Sequence, residues 1–205
     1  MVDRVRFYTI FKTKFGRFTT NQYKGFEVIF DEWDRQAIHD VRYLGYMLAT
    51  AWHETAKTMQ PIREYGRGKG KPYGSKIKHS GVKYLLPNFL YYGRGLVQLT
   101  WFENYALMGR LLGIDLLHNP ELACDPKISV KIMFEGMLMG SSSFGDFTGK
   151  CLEMYFNKKT NLPISARKII NGTDKAVLIA EHHYKFMDSL TGNDNLKYNQ
   201  LKYAA

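Results

Sequence analysis

Between Ile38 and Ala56 the apolar positions repeat with a helical period. At about 100° per residue, Ile38, Val41, Gly45, Leu48 and Trp52 share one face, and Tyr43, Met47 and Thr50 line the other. A helix that is apolar on both sides is a buried helix. Its ionisable residues are His39, Asp40, Arg42, Tyr43, Tyr46, His53 and Glu54, and Glu54 falls near the C-terminal end. A carboxyl there is expected to be partly desolvated and close to the negative end of the helix dipole. Both effects favour the protonated form, which is what a general acid requires.

The same patterning divides the rest of the chain. Residues 1–20 show no clear period and read as an irregular arm. Thr20-Asn21 can cap a helix running to about Trp33, with Tyr23, Phe26, Ile29 and Phe30 on one face, and Asp34 is placed to cap the central helix. Pro61 marks that helix's end and the start of an extended segment. Gly66–Gly81 is rich in glycine and predicts turns or a short β-ribbon. Tyr91–Trp101 reads as a glycine turn leading into a short apolar segment. Helices are expected over Phe102–Leu112, ending at Gly113, from Asp125-Pro126 to about Leu138, and over 148–157, 164–170 and 174–190. A short helical turn is expected from Asn119-Pro120 to Ala123, a loop over Gly140–Gly145, and a turn at Asn171-Gly172. The tail after Gly192 is polar, and there is no internal repeat. The sum is a single catalytic domain, mainly α (α+β), with a small non-helical lobe near residues 58–100.

Composition sharpens this. With 205 residues, 45% of them hydrophobic, the chain is long enough to bury a substantial core. Fourteen Tyr and thirteen Phe are many for that length; most are expected in the core, and some suit a carbohydrate cleft. The net charge of +10 favours a polyanionic partner: nucleic acid, an acidic membrane surface or a bacterial wall. Arg67, Lys69, Lys71, Lys76, Lys78, Lys83 and Arg94 follow one another with no acid between Glu64 and Glu103. Cys124 and Cys151 are too few for a disulfide scaffold and are expected to be reduced. The N-terminal residues lack an uninterrupted apolar run, so neither a signal peptide nor a transmembrane segment is expected, and synthesis is expected in a cytoplasm.

Several motifs fail on inspection. His53-Glu54 has Lys57, not a second His, four residues after His53. Neither Gly68-Lys69 nor Gly70-Lys71 has the spacing of a phosphate loop. Ser80–Lys83 lacks the companion motifs of Ser-x-x-Lys enzymes. His182-His183 has no spaced metal-ligating partners. A pair of acids remains. Glu64 lies ten residues after Glu54, past the Pro61 turn, so a helix end and an extended return can set both on opposite walls of a cleft. Two carboxylates flanking a glycosidic bond, one protonated and one ionised, are the equipment of sugar hydrolysis. Arg63 and the basic strip are expected to keep Glu64 ionised.

His53-Glu54-Thr55, Arg63-Glu64, Tyr91-Tyr92-Gly93-Arg94-Gly95-Leu96-Val97-Gln98-Leu99-Thr100-Trp101 with Asn104-Tyr105, Asn119-Pro120-Glu121-Leu122 with Asp125-Pro126, and Ile169-Ile170-Asn171-Gly172 resemble, in order, the signatures of the family 19 glycoside hydrolases. That family holds chitinases and many phage and bacterial wall-lysing enzymes. The resemblance implies a lysozyme-like fold, a helical domain with a small β-ribbon lobe flanking a substrate cleft. It implies Glu54 as general acid, Glu64 as general base of an inverting reaction, and Thr100 as the residue that holds the attacking water. It also implies Gln98, Asn104, Asn171, Tyr92, Arg94 and Trp101 as substrate-binding residues, with no metal or cofactor. The short interval between the acids and the few cysteines resemble the endolysin, lysozyme-type branch. The expectation is therefore a monomeric peptidoglycan hydrolase, released from the cytoplasm to the wall or carried in a virion, with no nucleic-acid partner. A chitinase is the alternative. From another class, so is a non-catalytic wall- or nucleic-acid-binding protein on the same scaffold.

Overall fold

The computed structural model describes residues 1–86, 89–139 and 147–193. Seven α-helices, α1 (Arg4–Phe15), α2 (Thr20–Arg35), α3 (Val41–Glu54), α4 (Phe102–Leu112), α5 (Pro126–Met137), α6 (Leu152–Tyr155) and α7 (Ala176–Thr191), surround a ribbon of two short strands. In that ribbon β1 (Ile62–Arg63) pairs antiparallel with β2 (Arg94–Gly95), Ile62 opposite Gly95 and Arg63 opposite Arg94. The fold is mainly helical, as the patterning implied, and lysozyme-like, as the resemblance implied.

The central helix is buried. Nine consecutive residues of α3, Leu44–Trp52, are inaccessible or nearly so. Helix α7 packs against both α1 and α3. The α3–α7 approach is close at Gly45, where a Cβ would come within 2.6 Å of Met187 Sδ and 3.3 Å of His183 Nδ1. Phe7 and Phe11 from α1, Phe26 and Phe30 from α2, Trp52 from α3 and Phe186 from α7 form one aromatic cluster, with centroids 4.8 Å apart for Phe7–Phe30 and 5.1 Å for Phe11–Phe26. Much of the aromatic excess is therefore core.

The N-terminal segment departs from expectation. Residues 4–15 are not an irregular arm but helix α1, capped by Asp3, whose side chain accepts from the Arg6 backbone N–H. The four-residue spacing of Phe7 and Phe11 aims both rings inward, and tertiary burial compensates for a weak surface pattern. Asp34 does not cap α3. It binds the Val2 backbone N–H and the Arg4 guanidinium, each at 2.8 Å, and Asp40 caps α3 through the Arg42 N–H. Thr19 caps α2 in a reciprocal capping box with Gln22.

Helix α6 is four residues long, not ten. The Asn157 side chain accepts from the backbone N–H groups of Lys159 and Thr160 and turns the chain back. Residues 165–169 form a 3₁₀ turn. The Gly66–Gly81 strip is a succession of tight turns with a 3₁₀ turn at Pro72–Gly74, followed by a single bridge between Ile77 and Lys83. Both cysteines are free. The loop expected at Gly140–Gly145 and the tail from residue 194 lie outside the described residues.

Candidate active-site cleft

Helix α3 ends at Glu54, and Thr55 closes it by returning its N–H to Ala51. Six residues of turn then lead to β1, and Glu64 follows directly. Its N–H donates to the Gly93 carbonyl at 2.7 Å, which continues the ribbon by one step. The ribbon thus brings the carboxylate of Glu64 into the same cleft as that of Glu54, a cavity of about 870 Å³. Gln98, Thr100, Trp101, Asn104 and Asn171 line this cleft as well.

The two acids have different surroundings. Glu54 was expected alone among hydrocarbon. Instead Arg167 Nη1 donates to Glu54 Oε1 at 2.6 Å, with side-chain exposures of 2% and 14% respectively. Arg167 also donates from Nε to the Asp174 carbonyl at 2.8 Å, and its own carbonyl accepts from Asn171 N–H at 3.0 Å. One buried guanidinium therefore ties the end of α3 to the turn that carries Asn171 and Gly172.

Glu64 is held by neutral donors. Tyr73 Oη donates to Oε1 at 2.8 Å, and Gly93 N–H donates to Oε2 at 3.1 Å. Arg63, expected to serve Glu64, points elsewhere: its Nε donates to Glu121 Oε2 at 2.6 Å. The reason is the period of two along a strand, which sends neighbouring side chains to opposite faces.

The segment 93–104 builds the opposite wall. Gln98, at a left-handed φ of 54°, turns the chain and donates from Nε2 to the carbonyls of Ile62 at 3.2 Å and Gly95 at 3.1 Å. A Cβ on Gly93 would lie 2.7 Å from Gln98 Oε1, so a larger residue there would displace the Gln98 amide. Thr100 Oγ1 donates to the Gln98 carbonyl at 2.7 Å, which leaves the hydroxyl oxygen as an acceptor. Asn104 donates to the Thr100 carbonyl at 2.9 Å. The Trp101 ring meets Tyr73 and His79 edge-on, at 5.5 and 5.0 Å. Glu103, in the first turn of α4, accepts from the backbone N–H groups of His79 and Ser80. Burial alone would raise its pKa, but those N–H groups hold it below the usual carboxylate range.

Tyr92 and Arg94 do not line the cleft; they support its wall from behind. Arg94 is 3% exposed and lies 3.6 Å over the Tyr92 ring. It bonds to Glu121 at 2.8 Å, the Leu90 carbonyl at 2.9 Å and Tyr105 Oη at 3.0 Å. A guanidinium buried and engaged in this way is not offered to a ligand in the cleft. Sequence reasoning missed Arg167 and Tyr73. Each left a faint trace: Arg167 is one of two cations between the apolar residues of Ile164–Ile170, and Tyr73 is the aromatic within the glycine-rich strip.

The family model described as "Chitinase class I" (Glyco_hydro_19) matches residues 48–143. "Endochitinase 1" of Theobroma cacao is 55% identical over 49 residues, 23% of this chain and 15% of that protein. "Endochitinase 4" of Solanum tuberosum is 44% identical over 66 residues, 32% of this chain and 22% of that protein. The chain thus spans less than a quarter of the length of these plant relatives. Chitinase C from Streptomyces griseus HUT6037 has the same fold, with a TM-score of 0.56, 24% identity and 92% of each chain covered. The matched segment holds both acids and the Gln98–Asn104 wall, and over it the chain is similar to the family 19 glycoside hydrolases.

Proposed function

We propose that this protein hydrolyses β-1,4 bonds between amino sugars, with bacterial peptidoglycan as its polymer. The observation that carries the reading is the convergence of Glu54, Glu64 and Thr100 on one cleft. Glu54 donates a proton to the leaving glycosidic oxygen from Oε2, while Arg167 holds Oε1 and stabilises the carboxylate left behind. Glu64 takes a proton from a water whose other hydrogen is accepted by Thr100 Oγ1. The water attacks the anomeric carbon from the face opposite the leaving group, so the product anomer is inverted. Gln98, Asn104, Asn171 and the Trp101 ring hold the sugars. Tyr92 and Arg94 keep the wall in shape. The net charge of +10 and the basic strip beside Glu64 support an acid-bearing polymer.

A chitinase reading draws on the printed names of the plant relatives, endochitinases all in the examples above. A relative in Hevea brasiliensis is named "Inactive chitinase-like protein 1", so similarity over this segment extends to a protein named as inactive. Three measurements separate the readings. Mass spectrometry of digested peptidoglycan should show new reducing ends, at muramic acid for a muramidase or at glucosamine for a glucosaminidase. Chitin oligosaccharides assayed alongside give the relative preference. Glu54→Gln should lower turnover by about 10²–10⁴-fold while circular dichroism and wall binding stay unchanged. Full turnover in that variant would overturn the assignment.

A further inference from the structure

The hydroxyl that meets Glu64 comes from the glycine-rich strip, which was expected only to supply positive charge. Immediately after Glu64 the backbone closes four turns in succession. Arg67 N–H donates to the Glu64 carbonyl at 3.0 Å, and Lys69 to Gly66, Lys71 to Gly68 and Gly74 to Lys71, each at 2.9 Å. Gly66, Gly68 and Gly70 stand at φ of 81°, 75° and 75°, a region that favours residues without a Cβ. The coil closes on itself at Gly74, where a Cβ would lie 1.7 Å from the Gly68 carbonyl oxygen. A spiral closed in this way returns the chain to its origin, and Tyr73 is the residue that meets Glu64.

We propose that Tyr73 is a positioning residue for the general base: its hydroxyl fixes the Glu64 carboxylate in one rotamer, and the glycine spiral exists to deliver that hydroxyl. The inference rests on the assignment of Glu64 as base. A carboxylate held only by Gly93 N–H could swing about its last torsion, which is broad and roughly two-fold. With Tyr73 on Oε1 and Gly93 on Oε2 both oxygens are fixed, and the remaining lone pairs face the cleft. Tyr73 is itself steadied by Trp101, whose ring it meets edge-on at 5.5 Å. Burial and the Glu64 carboxylate together push the phenol up to about 12, so it remains a donor throughout the working range of a glycosidase.

The test uses Tyr73→Phe, which keeps the ring against Trp101 and removes only the hydroxyl. On chitin oligosaccharides and on purified peptidoglycan, kcat should fall about ten- to a hundredfold, the equivalent of one hydrogen bond to a charged group. KM should stay within about twofold of wild type, since positioning acts on the transition state. A kcat equal to wild type, or a loss confined to KM, overturns the proposal. A second measurement needs no turnover. In protein labelled with ¹³C at tyrosine Cζ, the Tyr73 signal, assigned by its loss in Tyr73→Phe, should move between wild type and Glu64→Gln, which replaces the charged acceptor by a neutral one. A Tyr73 signal blind to Glu64 refutes the contact. A wild-type chain inactive on both polymers with an intact Tyr73 response would defeat the hydrolase reading and leave the bond standing.

Discussion

Arg167 is the residue on which the cleft's two ends depend. Its guanidinium is 2% exposed and meets Glu54, the Asp174 carbonyl and, through its own backbone, Asn171. Removing the guanidinium leaves the Glu54 carboxyl and the Asp174 carbonyl without their donor, at a cost of about 1–3 kcal/mol for each group left unsatisfied. Arg167→Met is therefore expected to lower unfolding free energy by about that amount per group in urea titrations, and to release the turn bearing Asn171 and Gly172. Arg167→Lys keeps the charge but has one nitrogen where the guanidinium uses two, so it should recover part of the loss. A change below about 1 kcal/mol in Arg167→Met would show that the pair is dispensable. Glu54 was legible from its place at the end of a buried helix. Its partner was not, because a contact across 113 residues leaves no local pattern in either segment.

At the scale of elements, the α3–α7 interface carries an unusual group. His183 is enclosed by Gly45, Met187 and the Tyr46 and Phe156 rings, and its Nδ1 has no hydrogen-bond partner among the described residues. Burial lowers its pKa to about 3; the neighbouring Gly45 backbone and the charge of Asp40 pull the other way, and Arg42 adds to the lowering. The unfolded chain gains a proton at this histidine below about pH 6.5 and the folded one does not. Its contribution to stability is thus fully present above about pH 6.5 and declines as the pH falls toward 3. Denaturation midpoints measured between pH 8 and 4 should fall less steeply in His183→Phe than in wild type. Equal slopes would place His183 in contact with water.

The elements themselves were unevenly legible. Helix α4 stops at a glycine and α5 starts at a cap where the pattern put them, because burial and local chemistry agree; the body of α3 was legible and its cap was not. Helix α1 was hidden by its basic face, since only Phe7 and Phe11 are buried and their spacing alone does not announce a helix. Residues 148–157 misled in the other direction. Their apolar content is real, but Asn157 offers the backbone a turn that competes with the helix. The ribbon that joins the two acids is two residues per strand, too short for alternation to register.

The whole molecule is basic, and the cations are not evenly placed. Arg67, Lys69, Lys71, Lys76 and Lys83 are exposed on the lobe that carries Glu64 and Tyr73, and among the described residues none of them is in an ion pair. Chitin is neutral, whereas peptidoglycan carries carboxylates on its peptide stems, so on the proposed reading this lobe is expected to favour the second polymer over the first. Exposed charges act over a Debye length of about 10 Å at 0.1 M salt and about 3 Å at 1 M. Hydrolysis of purified peptidoglycan should therefore fall several-fold between about 0.05 and 0.5 M salt, while hydrolysis of chitin oligosaccharides changes by less than about twofold. Replacing Arg67, Lys69 and Lys71 by Gln should flatten the first dependence and leave the second untouched, because none of the three side chains is paired with an acid of the cleft and the Arg67 backbone bond to Glu64 is kept. The glycines of the spiral, and hence Tyr73, are retained in that variant. Equal salt dependence on both polymers would mean that the lobe's charge serves solubility, and that selectivity lies inside the cleft, in how Gln98, Asn104 and Asn171 meet the sugar ring.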